Sequence, residues 1–289
     1  MIGAIIVLYN PNRDILRKGI EALSPQVDKV CVIDNSLINN YNIFKGYENV
    51  HYVPLLKNIG IAAAQNIGIK YFQDANYEYV IFSDQDSIAI NGLVPDLLGV
   101  FKELTEKGVN VAAVGPMPIN RATNNPYITQ ANIKAIYPKG TLCDNYNVHE
   151  MYSIISSFSI VKIASFNYVG AMEEDLFIDG VDDEWGWRAY NKGRLRSFIA
   201  TDYTFSHFQG DDERVRYKKS TPFRSYFQFR NFIILFRRSY VPAYWKRRNL
   251  LKFGIKMFYY PICVSPRREY LKSIVQGIRD GIANKMGKK

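Results

Sequence analysis

A doubly wound, mostly parallel α/β sheet is the architecture these 289 residues favour. Three observations predict it. Apolar runs of strand length alternate with segments of helical periodicity through the first hundred residues. The runs lack polar–apolar alternation, as parallel strands covered on both faces do. Polar residues follow four of them in turn: Tyr9-Asn10, Asp34-Asn35, Lys57-Asn58 and Asp84-Gln85-Asp86. In a parallel sheet these ends share one edge, where open α/β sheets bind ligands.

The elements follow in order. Ile2–Leu8 is a continuous apolar strand. The start lacks a basic n-region and a small-residue cleavage site, so it reads as a strand and not a signal peptide. Asn10-Pro11-Asn12 breaks the strand, and Arg13–Leu23 is a helix. Asp28–Asp34 and Val50–Pro54 are the second and third strands. Asn58–Phe72 places Ile61, Ala64, Gly68 and Phe72 at helical spacing, with small residues that let a ligand or a strand come close. Tyr77–Ser83 is the fourth strand, Leu93–Lys107 a helix, and Val111–Gly115 the fifth strand. Met117–Met151 is rich in Asn, Pro and Tyr and gives no clear period. Asp182–Asn191 is a short helix. Beyond Arg216, helical segments interleave aromatics with cations and break near Pro242, Pro261 and Pro266.

Composition narrows the function. A hydrophobic content of 47% supports a sizeable core, and no run of 18 apolar residues reads as a membrane span. Cys31, Cys143 and Cys263 lie far apart without metal-type spacing, which points to reduced thiols and a cytoplasmic setting. Charge is uneven. From Arg214 onward there are 20 Lys+Arg and 2 acids, a net of +18; the whole-chain totals of 37 and 27 leave 17 and 25 before it, a net of −8. The basic end suits an anionic partner: a membrane surface, a lipid diphosphate or nucleic acid. Nucleic-acid binding explains that end but not the acidic edge of the sheet, so it is set aside. Within Tyr240–Tyr260, aromatics (Tyr244, Trp245, Phe253, Phe258, Tyr259) alternate with cations, as in a helix lying at a membrane interface.

The acidic motifs carry the chemistry. Asp84 and Asp86, one residue apart at a strand exit, suit a shared hard cation such as Mg²⁺ or Mn²⁺, which in turn holds a diphosphate. Asp182-Asp183-Glu184-Trp185 opens a helix. A carboxylate there suits a general base, and Trp185 suits stacking on a sugar ring. His207, between aromatics, is a candidate neutral nitrogen ligand for the same metal. A nucleotidyltransferase needs a Gly-rich triphosphate loop, and Ile5–Arg13 contains no glycine.

In combination these residues resemble the inverting family 2 glycosyltransferases of the GT-A fold, and among them the bacterial rhamnosyltransferase-like branch. The similarity runs through Ile5-Ile6-Val7-Leu8-Tyr9-Asn10-Pro11, Val32-Ile33-Asp34-Asn35-Ser36, Asn58-Ile59-Gly60-Ile61-Ala62 and Asp84-Gln85-Asp86-Ser87. It continues through Leu176 to Ala189, His207 and Arg230-Asn231, covering about residues 1–231. The resemblance implies a GT-A sheet, mixed but mostly parallel and flanked by helices, with a basic C-terminal helical appendage. Residues 1–213 would be the catalytic domain: 1–116 the nucleotide-sugar half and 117–213 the acceptor half. Residues 214–289 would be the basic helical region.

The resemblance also implies roles. Asp182, with an acid two residues on and an arginine six on, takes the position of the catalytic base, whereas Asp183 does not. Val181 stands where many members have Glu. Tyr9, Asn10, Asp34, Asn35, Asn58, Gly60, Asp84 and Gln85 would bind the donor, with Asp34 on the pyrimidine. Asp86 and His207 would hold Mg²⁺ or Mn²⁺, and Glu184 and Trp185 would meet the acceptor. The implied donor is dTDP-L-rhamnose, with UDP-hexoses or UDP-galactofuranose as alternatives. The implied acceptor is a lipid-linked saccharide, met at the inner face of the cell membrane. Relatives often carry Ser-Ser-Gly where this chain has Ser156-Ser157-Phe158, a departure expected to reshape the acceptor pocket.

Overall fold

The computed structural model describes residues 1–120, 125–128, 130–207 and 220–289, with only the backbone of Ser206 and His207. The first four strands are β1 (Ile2–Leu8), β2 (Lys29–Asp34), β3 (Val50–Pro54) and β4 (Tyr79–Asp84). They are joined through helices α1 (Arg13–Leu23) and α2 (Ile61–Asp74). Then come α3 (Leu93–Glu106), β5 (Val111–Asn120), β6 (Ile133–Tyr137), β7 (Val148–Met151) and β8 (Ile160–Lys162). Helices α4 (Ile163–Val169) and α5 (Val181–Gly193) precede β9 (Arg196–His207). Helices α6 (Pro222–Arg237), α7 (Ala243–Cys263) and α8 (Arg267–Ile282) follow.

All nine described strands join one sheet in the order β3-β2-β1-β4-β8-β5-β9-β7-β6. Strands β3, β2, β1 and β4 are mutually parallel. The chain steps from β1 outward to β2 and β3, then returns to place β4 on the other side of β1. The exits of β1 and β4 therefore flank the point where strand order reverses.

The continuous apolar run of β1 has a direct cause. Ala4, Ile6 and Leu8 face one core layer with Leu16 and Ile20 of α1 and Leu97 and Phe101 of α3. Ile5 faces the opposite layer with Ile69 and Phe72 of α2. Each fully buried Ile, Leu or Phe side chain among them is worth about 1.5–3 kcal/mol. Helix α1 starts where Asn12 Oδ1 accepts from the backbone N–H of Asp14 (3.1 Å) and Ile15 (3.2 Å). The small residues of α2 serve strand packing: a Cβ on Gly68 would lie 2.7 Å from Ile5.

The sheet departs from a wholly parallel one in its second half. Strand β8 lies antiparallel between β4 and β5. Strand β5 runs on to Asn120 beside β9, and β6 and β7 form an antiparallel pair in the stretch that gave no sequence period. The C-terminal helices have a small core of their own, Phe229, Phe253, Tyr260, Tyr270 and Ile274. Three aromatics expected at a membrane interface are used inward instead. Phe253 is in that core, Trp245 meets Trp187 edge-on at 5.1 Å, and Tyr244 stacks on Tyr152 at 4.4 Å. Phe258 and Tyr259 remain exposed. Among the described residues no helix is long and apolar enough to cross a membrane.

Candidate active site

The exits of β1, β2 and β4, the loop before α2 and the start of α5 are tied together at one edge of the sheet. Tyr9 and Asn10 are exposed there, while Asp84, Gln85 and Asp86 are half-buried. The Gln85 amide joins the two central exits. Its Oε1 accepts from Tyr9 N–H at 2.8 Å and its Nε2 donates to Tyr9 C=O at 3.2 Å. Asn10, at φ 48°, is anchored by its own N–H to Ser36 Oγ at 2.8 Å. Gln85, expected on the donor, thus spends its amide on holding the β1 exit in place.

Asp34 is 1% exposed. Its carboxylate accepts from Tyr52 OH (2.6 Å), Asn40 Nδ2 (2.9 Å) and Ser36 N–H (2.9 Å). Burial and the bond to Asp34 push the Tyr52 hydroxyl well above the usual phenol range. Asn35 uses both ends of its amide on the loop before α2, donating to Gly60 C=O (3.0 Å) and accepting from Ile59 N–H (3.1 Å). Asn58 accepts from Gly60 N–H at 2.9 Å. Gly60 sits at φ 90°, and a Cβ there would fall 2.7 Å from Phe177, whose carbonyl receives Ile61 N–H at 2.8 Å. Asn35, Asn58 and Gly60, expected as donor contacts, instead shape the loop that ties α2 to the approach to α5.

That approach is tightly held. Phe177 and Asp179, both at φ 64°, and Gly180, at φ 84°, turn the chain into α5. From α6, Asn231 Nδ2 donates to the carbonyls of Leu176 (3.0 Å), Ile178 (2.7 Å) and Asp179 (2.9 Å). The Arg230 guanidinium, 0% exposed, donates to Asp175 C=O (2.9 Å) and Leu176 C=O (3.0 Å). The Arg230-Asn231 pair was visible in the sequence, but its task of gathering this loop was not.

Asp182 stands in the first turn of α5. Its Oδ2 accepts from Ser156 N–H at 3.2 Å. Its carboxyl is pushed up to about 7, first by burial and then by the charges of Asp84 and Asp183. The charge of Asp84, at the exit of β4, thus disfavours the charged form of Asp182 at the start of α5. A cavity of about 20 Å³, roughly one water's worth of room, lies behind Asp182 against Ser156, Met172 and Trp185. Asp183 points away, accepting from Ser153 Oγ at 2.5 Å, and burial raises its carboxyl as well.

Two expected acceptor contacts are corrected. Glu184 is 0% exposed. It accepts from Arg188 Nε (2.8 Å) and Nη2 (2.9 Å), Arg238 Nη1 (3.2 Å) and Tyr240 OH (2.6 Å). A carboxylate so enclosed pins α5 to the end of α6 and does not face a substrate. Trp185 is 3% exposed, donates to Gly170 C=O at 2.9 Å and packs on Phe166 at 5.1 Å. Its ring face is covered, so it stacks on protein. Phe158, which replaces the glycine of relatives, adopts φ 56°, the region glycine favours. Its ring is buried against Phe205 at 5.1 Å, so the departure fills the core and not an acceptor pocket.

His207 ends β9, paired with Asn120; its side chain lies outside the described residues. Among the described residues no cluster of three or more His, Cys, Asp or Glu is poised for a metal. Asp84 and Asp86 nonetheless carry hard carboxylate oxygens, the donor type that Mg²⁺ or Mn²⁺ takes.

Residues 4–166 match the model of the family described as Glycosyl transferase family 2. A dTDP-rhamnosyl transferase, RfbF of Shigella flexneri, is 31% identical over 97% of this chain and 95% of its own. Among solved structures, S. aureus TarS superposes with a TM-score of 0.57 at 16% identity, covering 98% of this chain and 53% of TarS. GalNAc-T7, solved with UDP, GalNAc and Mn²⁺, gives 0.59 at 11% identity, covering 99% and 56%. The chain thus spans about half the length of those two structures. A shorter TarS, residues 1–349, with UDP-GlcNAc gives 0.56 at 17% identity, covering 96% and 81%.

Proposed function

The chain belongs to glycosyltransferase family 2, and from that premise we propose that it transfers L-rhamnose from dTDP-L-rhamnose, with inversion, to a lipid-linked saccharide. That it is a glycosyltransferase with a GT-A-like mixed sheet follows from the family match and the fold. The choice of donor leans on the Shigella relative, 31% identical across nearly the whole chain. The observation that carries the mechanism is Asp182, a carboxyl raised to about 7 beside Asp84.

The proposed reaction is a single in-line displacement. Asp182 takes the proton of the acceptor hydroxyl as its oxygen attacks the anomeric carbon. The bond from that carbon to the diphosphate oxygen breaks, and dTDP leaves. A base whose carboxyl titrates near neutrality holds the proton well enough to assist and releases it afterwards. Tyr9, Asn10 and Asp34 would flank the nucleoside, with Gln85, Asn35, Asn58 and Gly60 setting the crevice around it. Asp84 and Asp86 would hold Mg²⁺ or Mn²⁺, which when bound supplies positive charge to the leaving diphosphate.

A thermal-shift series with dTDP, dTDP-L-rhamnose, UDP and UDP-GlcNAc, each with and without Mn²⁺, tests donor and metal together. The expected result is the largest stabilisation by the dTDP ligands, and only with metal. Asp86→Ala should remove the metal-dependent part, an affinity loss of about tenfold or more, and leave the response to thymidine alone unchanged. A metal-independent response in the wild type would refute the role of Asp86.

We also propose that α7 and α8 dock on an anionic membrane surface. Leu250, Leu251, Phe258 and Ile262 of α7 and Leu271 and Val275 of α8 are exposed amid the cations of the +18 region. Apolar side chains entering the headgroup boundary, with cations meeting lipid phosphates, would bind at low salt. Co-sedimentation should occur with vesicles of phosphatidylglycerol and fail with phosphatidylcholine alone, and should fall steeply as salt rises. Equal behaviour with both vesicles would refute the docking.

A further inference from the structure

Helix α7 carries Arg248, Lys252 and Lys256 at successive four-residue steps, on one stripe of its surface. Arg224 of α6 joins them: its charge bears on Lys256. Two acids face this group. Asp179 binds Arg224 (Nη2–Oδ1 2.7 Å), and its charge also reaches Lys252 and Lys256. Asp183 feels Lys252 and Arg248. Among the described residues, these four cations meet two acids, Asp179 and Asp183.

The cations are crowded. Burial and then Arg248 hold the Lys252 ammonium below its usual range, and burial and then Lys252 bring Lys256 down to about 8. Arg248 donates to Asn132 Oδ1 at 2.9 Å among its contacts, and Lys256 donates to Gln228 Oε1 at 3.3 Å. Lys252 has no hydrogen-bond or ion-pair partner among the described residues. Like charges gathered in this way disfavour one another, and a bound anion relieves them. Asp183 meets this group from the first turn of α5, where its side chain also accepts from Ser153. Next around the helix come Leu251, Ile255, Phe258 and Ile262, all exposed and at helical spacing.

We propose that Arg224, Arg248, Lys252 and Lys256 bind the diphosphate through which the acceptor is joined to its lipid, with the neighbouring apolar stripe taking the first part of the hydrocarbon. A diphosphate diester carries two negative charges, which a cluster of cations on one helix stripe would neutralise. The inference rests on the proposed lipid-linked acceptor and gives that acceptor a binding group. It separates two tasks on α7: the cationic stripe reads the diphosphate, and the exposed face beyond it rests on the bilayer.

The test is calorimetry on the full chain with its nucleotide site saturated by dTDP and Mn²⁺, using farnesyl diphosphate, farnesol and inorganic diphosphate as probes below micelle-forming concentrations. Farnesyl diphosphate should bind, farnesol should not, and inorganic diphosphate should bind at least tenfold more weakly. K252Q/K256Q should lose at least tenfold in affinity for farnesyl diphosphate, with its melting temperature and dTDP binding unchanged. R247Q/K272Q removes the same charge from exposed positions off the stripe and should bind within about twofold of wild type. Failure of wild type to bind farnesyl diphosphate, equal affinity for inorganic diphosphate, or equal losses in both double variants would each overturn the assignment. Binding of dTDP in the same samples separates the outcomes. A protein that binds dTDP but no farnesyl diphosphate refutes this inference alone; one that binds neither refutes the functional reading beneath it.

Discussion

Asp182→Asn should lower kcat by about 10²-fold or more while leaving dTDP binding within about twofold, since loss of a general base costs the chemical step and not the ground-state complex. Asp183→Asn, whose side chain turns to Ser153, should be much milder. The pH profile supplies an independent arm. A protonated Asp182 cannot accept the acceptor's proton, so kcat should rise with pH through about 7 and then level. The sign for stability is the reverse. The folded carboxyl is raised above the unfolded value of about 3.9, so folding is favoured while it is protonated. That contribution is complete below about pH 4 and is lost as pH rises through 7. Asp182→Asn should therefore be more stable than wild type at pH 8, by on the order of 1 kcal/mol once solvent screening at this half-buried site is allowed for, and show no such gain at pH 4. A variant retaining more than about a tenth of wild-type kcat would sink the base assignment.

Glu184→Ala should be the most damaging single change to stability. It removes the carboxylate on which Arg188, Arg238 and Tyr240 converge, leaving Arg188 without an acid and Arg238 with Glu173 alone in a mostly buried space. Breaking a buried ionic group by deleting one member costs about 3–5 kcal/mol. For a chain of this size that is a fall of on the order of 10 °C in melting temperature. Glu184→Gln keeps the shape and some of the hydrogen bonds and should lose about half as much. If Glu184 instead served the acceptor, the melting temperature would hold and the acceptor KM alone would rise, so one denaturation curve decides between the two roles.

The first half of the molecule was legible because its signals are local. Ile2–Leu8, Arg13–Leu23 and Val50–Pro54 fall where run length, an Asn cap and turn residues set them. The shared edge of polar strand exits was also readable, since parallel strands put it there. Residues 117–151 were not, because β7 is held by pairing with β9, far along the chain, and β6 by pairing with β7, and not by a period of their own. At the site, nearness in sequence misled. On a helix turning 100° per residue, Glu184 lies some 200° from Asp182, so the two serve opposite surroundings. The same distance problem concealed Asn231, whose three carbonyl partners lie more than fifty residues before it.

Strand β8 has a consequence for the nascent chain. Strands β1 to β4 leave the ribosome before residue 85, yet the outer edge of β4 is closed only by Ile160–Lys162, with Phe82 exchanging backbone hydrogen bonds with Phe158 and Ser159. Through the synthesis of some seventy-five intervening residues, an apolar strand presents open amide and carbonyl groups, the kind of edge that recruits other chains. Premature termination anywhere between β4 and β8 would strand the polypeptide in that sticky state. Cellular yield should thus hinge on how fast the ribosome crosses this interval and on whether a chaperone shields the edge meanwhile.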